Sequence, residues 1–264
     1  MLNRNHLSGL WLLLVLCFAG LAPGAAAQNS LPSTDRDQSA TAAYRSGDLS
    51  TARNLWEELL ADDSAQLDDG QRGRLCYNLG TLALRESRHL DGVAWYSAAL
   101  RLRPRDKDTW ANLELARLEA GLEAADRGDL KATIDRLLST WTAGESSLLA
   151  LLGCLPLALA LGYEALRGGR RSKAFVFLGL LLWLLALGPW VRHKATEGHR
   201  QVLVIAEKGG SARAEPRPDA TRVEQLDAGT ILRQLDEIPG WIEVEVDGKR
   251  RGWIEDLDLF PLNR

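Results

Sequence analysis

Cysteine, histidine and methionine are all scarce in this 264-residue chain, which carries three, four and one of them. Three cysteines exclude a disulfide scaffold. Cys17 lies in an apolar leader, Cys76 in a helical stretch and Cys154 in a long apolar run, and the last two are expected to be buried thiols. His6, His89, His193 and His199 form no Cys/His ligand spacing and no helical pair. No G-x-S-x-G, P-loop or dinucleotide fingerprint occurs. The chain is therefore read as non-enzymatic, with no cofactor or metal expected. A large charge of one sign is missing too. The net charge is −3, and no block is strongly basic outside one short loop, which excludes a nucleic-acid binder working by bulk positive charge. Tryptophan is not scarce: nine Trp and many Leu can bury enough area to exclude a disordered chain.

Sorted by position, two polar blocks flank one apolar block. Residues 28–147 carry net −5, 148–191 net +3 and 192–264 net −2. That layout favours several domains. Residues 1–27 have the order of a secretory signal peptide: Arg4, a charge-free Leu-rich run from Leu7 to Leu21, and Ala25-Ala26-Ala27 before Gln28. An uncleaved N-terminal anchor is the alternative. A lipoprotein is not expected, because Leu16 before Cys17 is not small. Residues 148–166 and 174–191 are each long enough to cross a hydrocarbon core of about 30 Å at about 1.5 Å per residue. Between them, 167–173 holds Arg167, Arg170, Arg171 and Lys173, expected as a cytoplasmic loop. A helical hairpin with an inside loop puts both polar blocks on the periplasmic side of a bacterial inner membrane. Arg192, Lys194 and Arg200 after the second span make that charge bias imperfect.

Within 28–147, Leu, Ala and Trp recur at helical spacing between short Gly/Asp turns, which predicts a stack of amphipathic helices. Cys76-Tyr-Asn-Leu-Gly and Trp110-Ala-Asn-Leu-Glu align at an offset of 34, the tetratricopeptide (TPR) period. Asn78-Leu79-Gly80 with Trp95 to Pro104 resembles a TPR unit, in which Gly80 allows close helix approach and Tyr96 and Ala99 pack between helices. A first copy runs through Tyr44, Gly47, Ala52 and Trp56, and the last degenerates after Gly121. Such a solenoid presents a concave face. Arg74, Tyr77, Asn78, Thr81, Arg85 and Asn112 are its candidate peptide-binding residues, with Asp108 and Glu119 beside them; a plain solvated face is the competing reading. Asp108 and Asn112 stand where carboxylate-gripping TPR domains have basic residues, so that clamp is not expected. The runs Asp62-Asp63 and Asp68-Asp69-Gly70 lack calcium-loop spacing and are read as turns.

Residues 200–264 read as strands, with alternation at Thr230–Leu235 and Trp241–Val246, a hairpin turn at Asp247-Gly248, and Arg251–Ile254 beyond it. Five short strands are expected, closed into a small barrel. Pro239-Gly240-Trp241 and Gly252-Trp253-Ile254 resemble a bacterial SH3-like domain over 202–260, which implies a peptide groove holding Trp241 and Trp253, one of them expected in the core and one in the groove. The fold class is thus multi-domain: an all-α TPR solenoid, a two-helix transmembrane hairpin and an all-β SH3-like barrel. That order resembles the BatE family of bacterial aerotolerance (Bat) systems, with Trp110–Arg117 like its last helix pair before the membrane. The resemblance implies a membrane scaffold whose protein partners are von Willebrand factor A-domain membrane proteins and a MoxR-type ATPase. The alternative is an envelope sensor or anchor whose barrel binds peptidoglycan.

Overall fold

In a computed structural model of the chain, the described residues are 31–122, 134, 137–138, 140–167, 170–196 and 200–263. The expected signal peptide, with Cys17, lies outside them, as does most of the stretch where the last helical copy is expected to degenerate. The described residues fall into two compact units, Ser147–Leu187 and, together, Leu31–Ser146 with Gly188–Arg264.

The second unit begins with helical hairpins. Helix α1 (Leu31–Ser46) pairs with α2 (Leu49–Ala61), α3 (Asp69–Arg85) pairs with α4 (His89–Leu102), and α5 (Lys107–Glu119) packs on α4. Local chemistry sets the boundaries. Gly47 takes φ +88°, which ends α1, and the Asp48 carboxylate then accepts from Thr51 N at 3.1 Å to start α2. Asp68 and Gln71 form a reciprocal capping box at 2.7 and 2.9 Å at the head of α3. Asp62 caps a 3-10 turn and pairs with Arg36 at 2.7 Å, so the acidic runs serve as caps. Gly80 has a steric reason: a Cβ there would lie 2.8 Å from the Tyr96 ring, so α3 and α4 meet only without a side chain. The 34-residue offset carries through for Leu79 and Leu113, both buried, but Cys76 is buried while its counterpart Trp110 is 37% exposed, its indole N–H donating to Pro104 O at 2.9 Å.

Two helices, α6 (Ala143–Arg167) and α7 (Arg170–Thr196), are long and apolar enough to cross a membrane, over Gly144–Leu166 and Lys173–Ala195. Both run past the limits expected from composition. α6 starts early because Thr142 and Glu145 cap it reciprocally, at 3.1 and 3.4 Å. Arg170 to Lys173, expected as loop, open α7, since no Gly or Pro interrupts the chain before Gly179. Within the first unit the two helices approach through small residues. A Cβ on Gly153 would sit 2.6 Å from that of Ala186, and one on Gly179 2.9 Å from the Leu157 Cα. Cys76 is a buried thiol outside any disulfide, as expected, but Cys154 is only half-buried, because a two-helix hairpin covers one face of each helix.

The C-terminal residues form an antiparallel sheet of seven strands, where five were expected. They are β1 (Gln201–Val204), β2 (Gly210–Arg213), β3 (Arg222–Leu226), β4 (Ile231–Ile238), β5 (Trp241–Val246), β6 (Arg250–Glu255) and β7 (Leu259–Pro261), in spatial order β3-β2-β6-β5-β4-β1-β7. Strands β2, β3 and β7, which no segment of the sequence reading marked, are short or carry few alternating apolar residues. Asp247 and Gly248 both take positive φ, +52° and +69°, as a tight hairpin turn requires. Val202, Val204, Val244, Val246 and Ile254 fill the interior.

The helices and the sheet share apolar packing. Phe260 on β7 meets Trp95 on α4 edge-on, with ring centroids 4.7 Å apart, and Leu203 and Leu262 join the buried cluster of the helical array. Arg101 on α4 donates to the Gln201 side chain. Leu122 sits where a Cβ on Gly229 would be 2.6 Å from its Cδ1.

Candidate functional site

Two surfaces carry the residues singled out in the sequence. On the helical array, α3 supplies Arg74, Tyr77, Asn78, Thr81 and Arg85, and α5 supplies Asn112. Several of these bind one another. Asn112 donates to the Tyr77 hydroxyl at 3.1 Å, and the Thr81 and Tyr96 hydroxyls lie 3.0 Å apart. The Arg85 guanidinium stacks 4.7 Å above the Tyr44 ring. Tyr96 is fully buried, and burial pushes its phenol up to about 12 despite the hydrogen bond with Thr81. Arg74 is exposed and Asn78 half-buried, with no side-chain hydrogen bond among the described residues. Asp108 is exposed, and Glu119 pairs with His89 at 3.1 Å. This face is polar, but most of its hydrogen-bonding capacity is spent internally.

The outer surface of the C-terminal sheet, whose order leaves β3 and β7 at its edges where a closed barrel was expected, is different. Ile242, Val244 and Val246 of β5, with Gly252 and Ile254 of β6, point inward, so Trp241, Glu243, Glu245, Arg251, Trp253 and Glu255 point outward. The expectation of one core Trp and one groove Trp is corrected: both indoles are half-exposed on the outer face, because both fall on the outward phase of their strands. Register places Trp241 opposite Glu255 and Glu243 opposite Trp253. The two indoles are thus diagonal neighbours, a relation that spaces residues about 7–8 Å apart, and two carboxylates fill the other diagonal. Neither Glu243 nor Glu255 has an ion-pair partner among the described residues, whereas Glu245 pairs with Arg233 at 3.3 Å. Arg213 lies opposite Trp253 from the other side, donating to Ala220 O at 3.2 Å.

An open groove of about 700 Å³ runs beside Trp241, lined among others by Asp236, Glu237, Ile238, Gly240 and Asp256. Its cation, Arg200, stands 3.7 Å from Glu237. Burial and the neighbouring Glu255 hold the Asp258 carboxyl above its usual range. The outward position of Glu243 was readable from the strict alternation of Trp241–Val246, but residue type alone drew attention only to the tryptophans.

Residues 208–258 match the bacterial SH3 domain family, and β1 and β7 complete the sheet on either side of the matched stretch. No curated protein and no solved structure matches the chain. The C-terminal sheet is consistent with an SH3-like domain, a module that binds proteins or peptidoglycan, in a chain that also carries a helical N-terminal region and two apolar helices.

Proposed function

We propose that this chain is a non-catalytic, membrane-anchored scaffold whose helical array and barrel bind protein partners together on the periplasmic face of a bacterial inner membrane. The carrying observation is the packing of Phe260 against Trp95, with Leu203 and Leu262 in the same buried cluster, which joins segments that the apolar hairpin separates in sequence. Segments that share buried packing need a common compartment, and an even number of crossings between them supplies it. The 34-residue offset and the glycine-dependent contact at Tyr96 support reading the helical hairpins as TPR units. The resemblance to the BatE family then suggests von Willebrand factor A-domain membrane proteins, working with a MoxR-type ATPase, as partners. Two binding modules on one anchor raise each other's effective concentration, so modest affinity per module is enough. Affinity capture of the full-length protein in mild detergent tests the reading. It stands if membrane proteins carrying von Willebrand factor A domains are recovered and fails if no membrane protein is. A reporter fused at Ser172 is expected to be cytoplasmic, and protease added to spheroplasts is expected to reach both lobes.

A further inference from the structure

We propose that the outer β5–β6 face recognises a lysine- or arginine-bearing segment of the partner protein, its cations seated against Trp241 and Trp253 and held by Glu243 and Glu255. This rests on the protein-binding reading of the barrel and adds the chemistry of its ligand. Three observations converge. Two half-exposed indoles on adjacent strands offer π-faces, which attract cations. The positions directly across from them are carboxylates with no ionic partner among the described residues, so each indole is paired with a free negative charge. The adjoining groove adds Asp236, Glu237 and Asp256 against Arg200 alone. With Arg213 and Arg251 included, five carboxylates face three guanidinium groups around the tryptophans.

That excess selects between the two ligand classes open to a bacterial SH3 domain. Peptidoglycan stem peptides are rich in carboxylates, and a like-charged face disfavours them. An extended basic peptide has the opposite charge and aliphatic stems that lie along indole rings. The lysine ammonium then meets a ring face and a carboxylate within one diagonal of the sheet. Arg233 and Arg251 close the far end of the face, with Glu245 between them, and so limit the basic segment to the Trp241 side.

The test uses the full-length protein in detergent micelles and fluorescence anisotropy of a labelled peptide alternating lysine with glycine. Its companion has norleucine in place of lysine, which keeps the stem and removes the charge. The lysine peptide is expected to bind about tenfold more tightly than the norleucine peptide, and the preference is expected to shrink as salt rises. The double variant E243Q/E255Q, both surface sites, is expected to abolish the preference while leaving the far-ultraviolet circular dichroism unchanged. Trp253→Ala is expected to weaken both peptides. Equal binding of the two peptides, or an E243Q/E255Q variant that keeps the preference, overturns the cationic ligand and leaves protein binding standing. Sedimentation with purified wall sacculi that depends on Trp253, without lysine-peptide binding, overturns it in favour of the wall. If neither probe binds and the Trp variants still capture the same membrane proteins, the barrel's role as a binding module fails as well.

Discussion

The polar face of the helical array and the outer face of the C-terminal sheet were equal candidates in the sequence, and they differ in what their side chains are already doing. Tyr77, Thr81, Arg85 and Asn112 hold each other, or Tyr44 and Tyr96, by hydrogen bonds and stacking. Trp241, Trp253, Glu243 and Glu255 sit half-exposed or exposed on regular strands, the carboxylates without ionic partners among the described residues. A network that satisfies itself stabilises a fold, since each buried polar group left unmade costs about 1–3 kcal/mol. A regular sheet face with free indoles and carboxylates has that capacity left for a ligand.

Several substitutions bear on this contrast. Phe260→Ala should have the largest effect, about 3–5 kcal/mol, the usual range for removing a buried aromatic ring. Thermal unfolding followed by circular dichroism should then separate a helical transition from a strand transition that coincide in the wild type; one coincident transition in the variant would deny the coupling. Gly80→Ala forces a methyl to within 2.8 Å of the Tyr96 ring and should cost about 1–3 kcal/mol by overpacking, read as a lowered denaturant midpoint with an unchanged slope. Tyr96 adds a pH effect. Its folded value, about 12, lies above the ordinary 10.0, so the fold favours the neutral phenol. That stability is complete below about pH 10 and is lost as pH rises toward about 12. Tyr96→Phe should flatten this alkaline limb, and an unchanged limb would place the titration elsewhere. Asp68→Ala, which removes one half of the α3 capping box, should cost about 1 kcal/mol. None of these four should alter peptide binding at Trp241 and Trp253 while the chain stays folded, whereas E243Q/E255Q should alter binding and leave the melting temperature where it was.

Much of the architecture was readable because its causes are local. The period of the apolar residues, Gly47 and Asp48 at a helix junction, and Asp247-Gly248 at a hairpin each act within a few residues. Gly80 was readable too, since only the residue without a side chain admits Tyr96. Three features escaped because their causes lie far apart in sequence. Strands β2 and β3 gain their regularity from pairing, not from their own alternation. The diagonal juxtaposition of the two tryptophans depends on the register between β5 and β6. The mutual bonding of Tyr77 with Asn112 depends on how α3 and α5 meet across 35 residues.

The contact between Trp95 and Phe260 has a consequence for biogenesis. The two rings are separated by 165 residues of chain, with the apolar hairpin between them. Synthesis at about 5–20 residues per second leaves Trp95 without its cover for on the order of ten to thirty seconds. For that interval the helices present a bare indole to their surroundings. A nascent chain in that state is a client for holding chaperones until Phe260 is made and covers the ring.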